Sequence, residues 1–253
     1  MVTFGNDGEM AAWFESLMFE RPTLTIERIS GEAVVERTLR FGDTFPLALS
    51  ERGRRVAFWL DSQGRGLPLP PREADLCWRS SDYKSGATID RTDISRVSTG
   101  NVDWSPDGGS LVYEKEGEIY VFDLGAERRR EVARGSSPSW RPDSRQLAFR
   151  APDGAAALAE SDGRKARWAL ASRRPRGAIQ WSPDGKFVAF GEDVSDPRVA
   201  GAAYRLVACR VEDGNCLTVE KFAGAGGDGS GAYHSIQGYR RFCHACSTEA
   251  PSQ

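Results

Sequence analysis

"WSPDG" occupies Trp104–Gly108 and returns at Trp181–Gly185, and "WRPDS" stands between them at Trp140–Ser144. Each copy spells a tight turn. Proline presets φ at the first turn position, Asp hydrogen-bonds nearby backbone, and Gly accepts a positive φ. β-prone runs flank the turns: "NVDW", "SPSW" and "AIQW" lead in, while "SLVY" from Ser110, "QLAF" from Gln146 and "FVAF" from Phe187 lead out. Each copy therefore predicts strand, turn, strand. The motif residues are Trp104, Ser105, Pro106, Asp107 and Gly108; Trp140, Pro142 and Asp143; and Trp181, Ser182, Pro183, Asp184 and Gly185. Their carboxylates are expected to serve turns, not chemistry. Gly108 and Gly185 should hold positive φ, and Ser144 should make a different or strained turn.

Working outward, two weaker copies appear. Leu49–Gly53 precedes "RRVAF", and Phe4–Gly8 precedes "EMAAWF". Further strand-like runs follow each copy. They are "TLTIERI" and "AVVERTL" after the first, "DLCWRS" after the second, and "EIYVFDL" and "RREVA" after the third. "AAALAE" and "ARWAL" follow the fourth, and "RLVACRV" and "LTVEKF" follow the fifth. The second repeat is interrupted by a Pro-rich loop, "GRGLPLPPRE", at Gly64–Glu73. The unit is four strands in about 40 residues, a period at which single sheets must stack to bury both faces. That pattern predicts an all-β protein, a β-propeller of four-stranded blades. A β-sandwich also has many short strands, but nothing in it requires turns to repeat in wording. Five blades are expected across residues 1–222, starting near residues 2, 45, 101, 137 and 177, with six-bladed closure possible; residues 223–253 form a Gly-rich connector and a Cys-containing tail. Trp104, Trp140 and Trp181 should occupy equivalent inner-strand positions and pack between neighbouring blades.

The Trp-Ser-Pro-Asp-Gly string followed by a strand of the Phe-Val-Ala-Phe kind resembles the WD40-like propeller repeat of the TolB family, and the same repeat occurs in tricorn-type and prolyl-oligopeptidase-type propellers. The match is specific at Trp104–Phe122 and Trp181–Phe190, good at Trp140–Phe149, and degenerate at Phe4–Phe14 and Leu49–Phe58. The resemblance implies a propeller, usually six-bladed in TolB itself, and an extracytoplasmic scaffold that binds other proteins. The chain departs from TolB in showing five repeats and no separate N-terminal α/β domain. Fold carries over more readily than function, which resides in sites.

Composition narrows the alternatives. Net charge is −2, so no net field favours nucleic acid. The basic runs Arg128–Arg130 and Arg173–Arg176 read as solvated strand or loop. No stretch approaches 18 apolar residues, so no membrane span is expected. The start, "MVTFGNDGEM", lacks a basic segment followed by an apolar one, which points to the cytoplasm for the chain as given, or to the periplasm or exterior if a leader is missing. A monomer is expected.

Among the five cysteines, Cys209 and Cys216 flank a turn at Asp213-Gly214 on adjacent strands, close enough either to bridge or to remain buried thiols. Cys243-His244-Ala245-Cys246 is half of a zinc site or a redox pair; the other histidine is His234, and using adjacent residues 243 and 244 on one ion is awkward. A disulfide and unpaired tail thiols are the other readings. Gly224–Gly229 formally matches G-x-G-x-x-G but leaves no room for a βαβ unit, so it reads as a connector and no cofactor is expected. No G-x-S-x-G nucleophile elbow occurs. A propeller enzyme would draw on carboxylates, with Asp90, Asp93, Asp103 and Glu192 the candidates. The leading expectation is a non-catalytic scaffold for a protein or peptide partner, with Gly64–Glu73 contributing to the contact. The alternative is a lyase- or lactonase-like, carbohydrate-active enzyme with a carboxylate or metal site in the channel.

Overall fold

The computed structural model describes residues 2–4, 10–15, 23–28, 33–38, 43–50, 55–61, 74–80, 85–92, 102–164, 167–169, 174–193 and 203–223. Every regular element among them is a strand, and the strands form five antiparallel four-stranded sheets. The first sheet holds β1 (Val2–Phe4), β2 (Met10–Glu15), β3 (Thr23–Arg28) and β4 (Ala33–Thr38). The second holds β5 (Asp43–Leu49), β6 (Arg55–Asp61), β7 (Ala74–Ser80) and β8 (Gly86–Thr92). The third holds β9 (Val102–Trp104), β10 (Ser110–Lys115), β11 (Glu118–Asp123) and β12 (Arg128–Arg134). The fourth holds β13 (Ser136–Trp140), β14 (Gln146–Arg150), β15 (Ala156–Glu160) and β16 (Arg167–Ala169). The fifth holds β17 (Pro175–Trp181), β18 (Phe187–Asp193), β19 (Ala203–Arg210) and β20 (Cys216–Ala223). In each sheet the strands pair in chain order, as successive hairpins dictate. Strand β8 had no counterpart among the named sequence runs; "GATIDRT" offers one large aliphatic side chain, Ile89, on which to read a strand.

The chain divides into two compact units, Met1–Ser136 and Ser137–Gln253. In the first unit β5 lies alongside both β1 and β9. Its core joins Ala48, Ala57 and Leu76 of the second sheet to Val102, Trp104, Leu111 and Tyr113 of the third. In the second unit β14 lies alongside β17, and Ala148, Ala156 and Leu158 of the fourth sheet pack against Ile179, Val188, Phe190, Val207 and Cys209 of the fifth. The second sheet thus packs on the third, and the fourth on the fifth, through branched and aromatic side chains opposed to alanines. Trp104, Leu111, Leu147 and Phe190 are fully enclosed, and burying a side chain of this size contributes about 1.5–3 kcal/mol.

Candidate functional site

The repeated pentapeptide builds one turn three times. The amide of Gly108 donates to the carbonyl of Ser105 at 2.8 Å, Ser144 to Arg141 at 3.0 Å, and Gly185 to Ser182 at 2.9 Å. The fourth turn residue is left-handed in all three, with φ +71° at Gly108, +67° at Gly185 and +59° at Ser144. Ser144 therefore adopts the glycine geometry at the steric cost a Cβ imposes there. The Ser105 hydroxyl accepts the Ser110 amide at 2.8 Å and donates to Asp107 Oδ1, which also accepts the Gly109 amide at 3.0 Å. Ser182, Asp184, Lys186 and Phe187 repeat the pattern. Partial burial raises the Asp184 carboxyl, but the Ser182 hydroxyl and Lys186 amide outweigh it and hold the group below its ordinary value. The degenerate second copy retains the clasp, since Ser50 Oγ accepts the Arg55 amide at 2.9 Å. These carboxylates and hydroxyls are occupied by the turns.

The tryptophans join sheets. Trp104 Nε1 donates to the Ala48 carbonyl, and Trp181 Nε1 to the Ser139 carbonyl, both at 3.2 Å. Trp104 is wholly buried and Trp140 is 6% exposed, whereas Trp181 is half-buried. An arginine from the preceding sheet lies over the indole each time: Arg55 is 5.9 Å from the Trp104 ring centre and Arg141 is 5.7 Å from that of Trp181. Arg55 also donates to the Gly108 carbonyl at 2.6 Å. Sequence reasoning passed over both arginines; Arg141 replaces the motif serine, which is the signal that was present.

The candidate acids are tied to cations. Asp90, on β8, receives Lys115 Nζ and the Tyr113 hydroxyl at 2.8 Å each, and Arg129 also pairs with it. Its side chain is only 7% exposed. Burial, then the Asp90 charge, pushes the Tyr113 phenol well above its ordinary range. Tyr120 stacks on Tyr113, is capped by Arg129, and is pushed up to about 12 chiefly by its bond to Glu118. Glu192, on β18, is held by Arg205 Nε at 2.6 Å and by Nη2 of the same guanidinium. Asp103 lies half-buried on β9, and Glu114, which sequence reading did not single out, is buried on β10. Among the described residues, no three His, Cys, Asp or Glu side chains converge on a metal-sized site. Two of the candidate acids are thus already neutralised, the arrangement of a structural ion pair rather than of an open ligand set.

Cys209 and Cys216 form a disulfide across the β19–β20 hairpin, their Cα atoms 4.0 Å apart. Cys77 is buried, and its Sγ lies 3.5 Å from Thr88 Oγ1. Asp93, the loop Gly64–Glu73, the Gly224–Gly229 connector, His234, His244, Cys243 and Cys246 lie outside the described residues.

Neither a family model nor any curated protein matches the sequence. Solved structures do match. A TolB-type protein from Agrobacterium tumefaciens superposes with a TM-score of 0.61 at 17% identity, covering 89% of this chain and 82% of its own. TolB from Acinetobacter baumannii gives 0.61 at 13% identity, covering 89% of this chain but 54% of its own. An oligogalacturonate lyase in complex with manganese gives 0.60 at 14% identity, covering 87% and 64%. Identities this low speak to fold and not to activity. The chain has a TolB-type fold.

Proposed function

We propose that the five sheets are blades of a β-propeller and that the protein is a non-catalytic scaffold binding a protein or peptide partner. The observation that carries this reading is the neutralisation of Asp90 by Lys115 and Arg129, and of Glu192 by Arg205. Acids held this way fasten strands together and offer no free ligand set to a cation. The scaffold role implied by the TolB resemblance fits a framework whose polar groups are spent on its own turns. The Cys209–Cys216 disulfide supports an oxidising compartment, periplasmic or exterior, in preference to the cytoplasm. Affinity capture from the native source, with crosslinking and identification of what is retained, tests the role: a stoichiometric protein partner is expected.

The second reading, a lyase-like propeller enzyme, is favoured by the likeness to the manganese-bound oligogalacturonate lyase. Turnover of an acidic oligosaccharide by the purified protein, dependent on a divalent cation, would establish it in place of the scaffold.

A further inference from the structure

We draw no further inference here: the strongest candidate, the side-chain cluster of Asp90 with Tyr113, Lys115 and Arg129 between the second and third sheets, belongs to the site already described.

Discussion

The indole of Trp104 donates its N–H to the carbonyl of Ala48, 56 residues earlier in the chain, at 3.2 Å in a wholly buried setting. Trp181 makes the same bond to Ser139, 42 residues earlier. A local turn motif therefore ends in a long-range bond, and the repeat of the motif becomes a repeat of contact between sheets. Trp104→Phe keeps most of the ring but strands the geometry of the bond, so a loss of about 1–2 kcal/mol is expected. Trp104→Ala adds a cavity and should cost about 3–5 kcal/mol. Half-buried Trp181 should lose less on the same changes. Urea denaturation of the four variants checks the order.

The turns give an opposed pair. At Gly108 a Cβ meets nothing within 4 Å, so Gly108→Ala tests φ alone and should cost about 1 kcal/mol. Ser144→Gly relieves the same strain and should stabilise, by about 0.5 kcal/mol after the entropy of the freer unfolded chain. At Gly185 a Cβ would stand 2.9 Å from Arg141 Nε, and Gly185→Ala should exceed Gly108→Ala in cost. Equal effects at 108 and 185 would show that Arg141 moves aside freely.

Asp90→Asn keeps the shape of the side chain and removes its charge. The Tyr113 and Lys115 donors then face a neutral group, and a loss of about 2–3 kcal/mol is expected, below the full penalty because Arg129 is half-exposed and can turn to water. The measurement is the denaturation midpoint of Asp90→Asn, alone and combined with Arg129→Met. Additive losses would mean that the two residues do not interact.

The pH dependence has a stated sign. Asp184 is held below its ordinary value in the folded chain, so its stabilising contribution is in place above the unfolded value near 3.8. It is lost as pH falls through the lower folded value. Asp184→Asn should therefore flatten the acid limb of the stability profile and leave the neutral region without a new slope. An unchanged acid limb would remove Asp184 from the account.

The disulfide closes a short loop, with a sequence separation of 7 between Cys209 and Cys216. Chain-entropy reasoning gives a loop of that length about 2 kcal/mol. Melting with and without a reductant should show a loss of that size, absent in a Cys209→Ala/Cys216→Ala double variant.

What sequence could show follows from distance along the chain. The hairpins were legible because Ser105, Asp107 and Gly108 bond one another within a few residues. The strand β8 was not, because its apolar positions are few. Asp90 was legible as a candidate acid but not as a structural one. Its partners Tyr113, Lys115 and Arg129 lie 23, 25 and 39 residues away, on strands that nothing local connects to it. Ala189 is the converse case. Its place in the repeat was readable in "FVAF", but its incomplete burial appears only in the folded sheet.

The central claim is the proposal that Asp90 and Glu192 fasten strands and do not bind a catalytic metal. Metal analysis of the purified full-length protein, paired with its melting temperature before and after chelation, tests this most directly. The account predicts substoichiometric metal and an unchanged melting temperature. One tightly held divalent ion per chain, lost on chelation together with stability, would contradict it.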